Sequence, residues 1–210
     1  MIPAFNNSFN NVVKHCIASL AMLCASFVAM AAEHPAQVMV VESTTQMMGF
    51  LKTDVDKIKA DPAYLAAKVD ELVVPHLDFN RMTRLAVGKN WKKASKEQKK
   101  DLVAEFKDLL LNTYTNALTE YSGETIKFEP YRQIDKEGYA VVRSVFNQAG
   151  GGAVPVLYKL RGKGGWKIYD IEVNSVSLVT SYRTAFGTEV SKGGIDGLLG
   201  TLKKKNAESK

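Results

Sequence analysis

Residues 139–173 constrain this chain more than any other stretch. They read Tyr-Ala-Val-Val-Arg-Ser-Val-Phe, a glycine-rich break at 147–152, Val-Pro-Val-Leu-Tyr-Lys-Leu-Arg, a second break at 162–165, and Trp-Lys-Ile-Tyr-Asp-Ile-Glu-Val. Each run is rich in β-branched and aromatic residues, and each break carries the glycines a tight turn needs. Loops this short join antiparallel strands, because parallel neighbours need a long crossover. The stretch therefore reads as an antiparallel meander. With Leu160 near Lys167 across the second turn, Val154, Val156, Tyr158 and Leu160 share an apolar face with Tyr169, Ile171 and Val173. Lys159, Arg161, Asp170 and Glu172 fall on the opposite, wet face. The register of the first run stays open. Either Val141 and Val145, or Val142 and Phe146, join the apolar face. Whatever else the chain does, it must cover that face.

At 210 residues, 46% hydrophobic and 24% charged, the chain has ordinary globular composition and the length of one domain with a helical annex. Residues 1–31 read as a cleaved signal peptide: Lys14 in a polar leader, an apolar run from Cys16 to Val28, and Ala29-Met30-Ala31 as the cleavage pattern. The mature domain then spans 32–205, with 206–210 as a disordered tail. Leu23 is too bulky for lipid attachment at Cys24. Both cysteines leave with the signal, so the mature chain has no disulfide, thiol nucleophile or cysteine metal ligand. The apolar run is short for a span, and no later segment reaches spanning length, which predicts a soluble exported product.

Helical periodicity brackets the meander. After Pro35, Val38, Val41, Thr45, Met48, Leu51 and Val55 recur at helical spacing. Met47 and Met48 widen that stripe with side chains that adapt to variable apolar partners. Asp61-Pro62 starts a second helix and Val74-Pro75 ends it. Asp78 caps a third, which stops at Gly88. Ser95 and Gln98 make a capping box for the longest helix, 96–118, with Leu102, Phe106, Leu109, Leu110, Thr113 and Ala117 along one side. Thr125–Glu129 is a first strand. Ser177 caps a later helix with Leu178, Tyr182 and Phe186. Gly193-Gly194 breaks it, and a last helix with Ile195, Leu198, Leu199 and Leu202 frays into Lys203–Lys205.

The densest charge run is Lys89, Lys92, Lys93, Lys96, Lys99 and Lys100, around Trp91. Nucleic acid is not the ligand expected of an exported chain. Lysines in the first turns of a helix oppose its dipole, so helix stability does not explain them. They read instead as a docking patch for an anionic surface. Catalytic chemistry is hardly legible. The mature chain has two histidines, His34 at the N-terminus and His76 at a helix junction, and neither has a motif around it. There is no nucleophile elbow, zinc-helix motif or phosphate loop. Asp170 and Glu172 read as an exposed charged edge. The residues alone describe a binding or carrier protein and leave its ligand open.

The stretch Val173-Asn174-Ser175-Val176-Ser177-Leu178-Val179-Thr180-Ser181-Tyr182-Arg183-Thr184-Ala185-Phe186, followed by Gly193-Gly194-Ile195-Asp196-Gly197-Leu198-Leu199, resembles the MlaC family of periplasmic phospholipid-binding, or toluene-tolerance, proteins. Phe79-Asn80-Arg81-Met82, the segment Leu85 to Trp91 and the Ser95–Gln98 helix start resemble it too. Ala86-Val87-Gly88 departs from a bulkier Val-Leu-Gly. The resemblance covers essentially the whole mature chain. It implies an α+β fold akin to nuclear transport factor 2: a curved antiparallel sheet of about four strands wrapped by about six or seven helices. It implies phospholipid acyl chains in an apolar pocket between sheet and helices, with no cofactor and no catalysis. It further implies a monomeric carrier between an outer-membrane lipoprotein–porin complex and an inner-membrane ABC transporter with an MCE-domain subunit, maintaining outer-membrane asymmetry. The competing reading is a cavity-type enzyme of the same fold acting on an apolar small molecule. Residues expected to line the pocket are Met48, Leu51, Phe106, Leu110, Val141, Val145, Val154, Val156, Tyr158, Tyr169, Ile171, Val173 and Tyr182. Arg143 and Arg183 are candidates for the lipid phosphate. Lys89, Lys92, Lys93 and Lys96 are the docking candidates.

Overall fold

A computed structural model describes residues 33–148 and 150–209, leaving the side chains of Asn116 and Ala117 aside. The expected signal peptide lies outside the described residues. Helix α1, Pro35–Thr53, opens with Pro35 at its first position, and the Nδ1 of His34 accepts a hydrogen bond from the Ala36 N–H at 3.2 Å. Helix α1 stops where Asp54 leaves helical geometry, so Val55 begins a separate helix α2, Val55–Ala60. Asp61 caps α3, Pro62–Leu72, by accepting from the N–H groups of Ala63 and Tyr64. A short 3-10 turn, Val74–His76, leads to α4, Phe79–Val87, capped by Asp78 and ended by Gly88 at φ +61°. A second 3-10 segment, Gly88–Lys93, precedes α5, Lys96–Leu118. The capping box at its start is reciprocal: Ser95 N–H donates to Gln98 Oε1 at 2.9 Å, and Gln98 N–H donates to Ser95 Oγ at 3.1 Å.

The sheet follows: β1 Thr125–Phe128, β2 Tyr139–Asn147, β3 Ala153–Arg161, β4 Lys167–Val173 and β5 Val176–Ser177, antiparallel throughout and in chain order. The fifth strand, beyond the four expected, is only two residues long. Helix α6, Leu178–Glu208, follows β5 directly and is broken at Gly193 and Gly194 into two helical halves.

The loop between β2 and β3 decides the open register. Asn147 pairs with Ala153, so even-numbered residues of β2 face even-numbered residues of β3. Val142 stands opposite Tyr158 and Phe146 opposite Val154. These two therefore join the apolar face, while Val141 and Val145 turn to the other side. Between β3 and β4 the shared face of Val156, Tyr158, Ile171 and Val173 is kept, but the register that sets Leu160 near Lys167 is not: Val156 pairs with Val173 and Tyr158 with Ile171, two residues from the expected partners. A bulge at Lys159/Leu160 then brings Ile168 opposite Leu160. Tyr169 is the extra residue. It leaves the apolar face and meets Arg81 and Tyr139 on the other.

The second face is not a wet one at Asp170, which is only 6% exposed. Strand β5 and the start of α6 fold back over β4. The Asp170 carboxylate takes hydrogen bonds from Ser177 Oγ, the Val179 N–H and Lys159 Nζ. Lys159 also pairs with Glu172 at 2.7 Å. Partial burial works against the charge on Lys159, but the bonds it donates to Glu172 and Asp170 outweigh this and hold the ammonium pKa above its usual value.

Apolar side chains gather in three clusters. The helical one joins α4, α5 and α6 around Phe79, Met82, Leu102, Phe106, Phe186 and Leu198. A second packs Ala36 and Val40 of α1 on Ala140, Val142, Leu160 and Ile168 of the sheet. The third joins Met47 and Leu51 to Ile58, Leu65 and Val69 of α2 and α3. Serving both of the last two rotates α1 from its expected stripe. Val38, Val41 and Met48 are half-buried and Thr45 exposed, while small Ala36 and Val40 come close against the strands. The chain does not fray at Lys203–Lys205 into a free tail from 206. Asn206 is buried, and its Nδ2 donates to the Glu105 backbone oxygen and carboxylate at 2.9 and 2.8 Å, which ties the last turn of α6 to α5.

Candidate functional site

One end of the apolar sheet face is left without a core. Ile126 pairs with Phe146, Phe146 with Val154, and Ser144 with Val156, which also pairs with Val173. Alternation puts Ile126, Phe146, Val154, Val156 and Val173 on one face, yet none of them belongs to the three clusters. The first four are half-buried and Val173 is 47% exposed. Val176, which pairs with Val173, is 61% exposed. Two residues on, Leu178 and then Tyr182 pack on the helical cluster. The ring of Tyr182 meets Phe106 edge-on at 5.0 Å and lies beside Thr113 and Tyr114. Tyr114 is the third large hydrophobic side chain left exposed among the described residues. A contiguous run of half-buried and exposed apolar side chains on a sheet face is a candidate binding surface.

The expected lining residues separate on this geometry. Val154, Val156 and Val173 lie on the uncovered end, and Tyr158 and Ile171 border it. Tyr158 is half-buried, and its burial raises the phenol pKa although Ser144 and Thr44 stand beside it. Phe106 and Leu110 are buried in the helical cluster, with Tyr182 against it. Leu51 is buried in the third cluster, with Met48 packed on that cluster. Val141, Val145 and Tyr169 are on the opposite face of the sheet.

Arg143 is on that opposite face as well, across from Leu157. Arg183 is engaged elsewhere: its Nε donates to the Leu85 carbonyl oxygen at 2.9 Å, at the C-terminus of α4, where a cation complements the helix dipole. Its side chain also lies beside Gly88, next to the basic segment. Lys89, Lys92, Lys93 and Lys96 are exposed, and among the described residues none forms an ion pair within 4.0 Å. Lys99 reaches back over the Trp91 ring at 5.8 Å.

Two features escaped sequence reasoning. Ser144 Oγ is buried beside the Tyr158 phenol, at the inner boundary of the half-buried end of the apolar face, and among the described residues it makes no hydrogen bond of good geometry. Arg81 lies among aromatic rings at the other end of the sheet. The alternation of β2 signals Ser144 once its parity is known, whereas nothing local signals Arg81. A cleft of about 500 Å³ runs along α1, lined by Glu33, Pro35, Val38, Met39, Glu42, Ser43, Gln46 and His76. It holds two carboxylates and none of the expected lining residues. Among the described residues, no helix is long and apolar enough to cross a membrane.

The fold is thus that of an α+β protein with helices against an open five-stranded antiparallel sheet, one end of whose apolar face is only half-buried. A family model described as MlaC protein matches residues 41–204, and the chain belongs to the MlaC family. It is 27% identical over 172 residues to an intermembrane phospholipid transport system binding protein MlaC of Haemophilus influenzae, covering 80% of each chain. It is 29% identical over 195 residues to a toluene tolerance protein of Pseudomonas putida, covering 88% of this chain and 90% of that one. Among solved structures, a phospholipid-binding protein from Ralstonia solanacearum, in complex with a phospholipid, superposes with a TM-score of 0.76 at 32% identity, over 84% of this chain and 99% of that one.

Proposed function

We propose that this protein is an exported, soluble, periplasmic carrier of phospholipid that performs no catalysis. The observation that carries the reading is the uncovered apolar end of the sheet, with Val154, Val156 and Val173 as its centre. Acyl chains laid there gain roughly 25 cal/mol for every Å² of apolar surface removed from water. Similarity to a phospholipid-bound structure supports the choice of ligand. The lipid moves between an outer-membrane lipoprotein–porin complex and an inner-membrane ABC transporter with an MCE-domain subunit. Lys89, Lys92, Lys93 and Lys96 guide docking, since exposed cations steer encounter. Organic extraction of the mature protein, followed by lipid mass spectrometry, tests the reading. Diacyl phospholipid at a defined ratio to protein is the expected result, and a lipid-free extract from an intact, folded protein overturns it.

A further inference from the structure

Where β2 begins, β3 ends and β4 begins, Arg81 of α4 is held among tyrosines. Its guanidinium carbon lies 4.6 Å from the Tyr169 ring centre and 5.5 Å from that of Tyr139. Its Nη2 donates to the Tyr139 hydroxyl at 3.1 Å. Lys136 Nζ stands 3.9 Å from the centre of the Tyr139 ring. In the register, Arg161 is opposite both Tyr139 and Lys167. Burial raises the Tyr139 phenol pKa, but Arg81 and Lys136 outweigh this and the net direction is down.

Among the described residues, Arg81, Lys136, Arg161 and Lys167 have no carboxylate within 4.0 Å. Asp78 accepts from the backbone N–H of Arg81 as the cap of α4, at 2.9 Å. Asp135 and Glu137 flank Lys136 in sequence and pair with none of these cations. The Nε of Arg81 is buried and makes no hydrogen bond. These four cations, none of them ion-paired within 4.0 Å, present positive charge that a partner of opposite sign complements. The rings also fix the guanidinium before any partner arrives, so little ordering entropy remains to be lost on binding.

We propose that this end of the sheet docks an acidic face of a protein partner, with a carboxylate received at Arg81 and others at Lys136 and Arg161. Arginine and tyrosine are the residues that dominate binding energy at protein interfaces. A membrane surface fits less well. Lipid attraction works through mobile lysines and an apolar anchor, and the exposed Val173 is at the opposite end of β4. The proposal uses none of Lys89, Lys92, Lys93 and Lys96 and does not rest on the lipid reading.

Two probes test it on the mature protein: fluorescently labelled poly-L-glutamate, read by anisotropy, and phosphatidylglycerol vesicles, read by co-sedimentation. Arg81→Gln with Arg161→Gln is compared with Lys52→Gln and Lys203→Gln, an equal loss of charge at exposed positions elsewhere. The first pair is expected to weaken poly-glutamate binding about tenfold or more, and the second about twofold or less. Arg81→Lys keeps the charge but not the planar fork and recovers little of the loss. The Arg81 Nε–H resonance is expected to shift when poly-glutamate is added. Equal losses for both pairs, an unmoved resonance, or a loss confined to vesicles overturns the proposal. Should Arg81→Gln lower the melting temperature, Lys136→Gln with Arg161→Gln replaces it, and unchanged binding there overturns it as well.

Discussion

Ser177 Oγ lies 2.8 and 3.0 Å from the two carboxylate oxygens of Asp170, and so joins the first turn of α6 to the middle of β4. The same hydroxyl accepts from the Thr180 N–H at 3.1 Å, while Asp170 accepts directly from the Val179 N–H at 3.2 Å. A carboxylate on a strand thereby completes the cap of a helix. Asp170→Ala removes this cap support and one of the two partners of Lys159. It is expected to cost about 3 kcal/mol, between the loss of a cap and the breaking of a buried pair. Asp170→Asn keeps an acceptor for Val179 and is expected to lose about 1–2 kcal/mol. Urea denaturation midpoints at neutral pH check both values.

His34 is expected to make stability depend on pH. Its ring stacks on Tyr131 at 4.2 Å, and its Nδ1 accepts from the Ala36 N–H at the start of α1. Burial lowers its pKa, so the folded state prefers the neutral ring. Its contribution is fully present above the unfolded value near 6.5 and is lost as pH falls below that and through the depressed folded value. Protonation also removes the acceptor and places a cation at a helix N-terminus. Melting temperatures at pH 7.5 and 5.5 are expected to differ more for the wild type than for His34→Asn, which caps without titrating. Equal differences would remove His34 as a source of the pH dependence.

The sequence is most legible where structure is local. Asp61, Asp78, Ser95 with Gln98, and Ser177 all cap the helices their positions mark, because a cap needs only residues within one turn. The meander and the shared face of Val156, Ile171 and Val173 were legible for the same reason, but the pairing was not, since Val156 meets Val173 where a turn set at Leu160 and Lys167 would bring Ile171. The side taken by Val142 was not, since it depends on loop parity. The bulge that turns Tyr169 away was not either, because it depends on what covers the second face. Asp170 looked like an exposed edge because the helix it caps begins only after a turn and a further strand. Arg81 and Tyr139 are 58 residues apart, and no periodicity links them. Of the site itself, the apolar strand positions could be read, but not which of them lie beyond the reach of the three packed clusters.

On the proposed function, charge reversal at Lys92, Lys93 and Lys96 is expected to leave lipid content unchanged and to slow association with the proposed docking partners. These side chains are exposed and, among the described residues, make no ion pair within 4.0 Å, so the fold gains little from them. Rim charges act mainly on association rate and its salt dependence. Lipid content by mass spectrometry and on-rates by surface plasmon resonance separate the two effects. Loss of lipid with unchanged on-rates would assign the lysines to retention.

Val142 and Val156 occupy the same face of the sheet and are expected to respond in opposite ways to the same substitution. Val142 is 0% exposed, inside the cluster that α1 makes with the strands. Val156 is half-buried, opposite Ser144 and Val173, and belongs to no cluster. Tryptophan at 142 must displace close-packed neighbours, and overpacking of that kind costs roughly 1–3 kcal/mol. Tryptophan at 156 meets uncovered surface, so the indole takes space that acyl chain would fill. Lipid content should fall sharply in Val156→Trp. A ligand that binds only the folded state stabilises it, so the lipid-loaded wild type must not serve as the reference. After delipidation of all three proteins, Val142→Trp is expected to melt several degrees below wild type and Val156→Trp at or above it. Differential scanning calorimetry with parallel lipid analysis makes the comparison. A lower melting point for Val156→Trp, with its lipid content intact, would show that this end of the sheet is packed core and that lipid is held elsewhere.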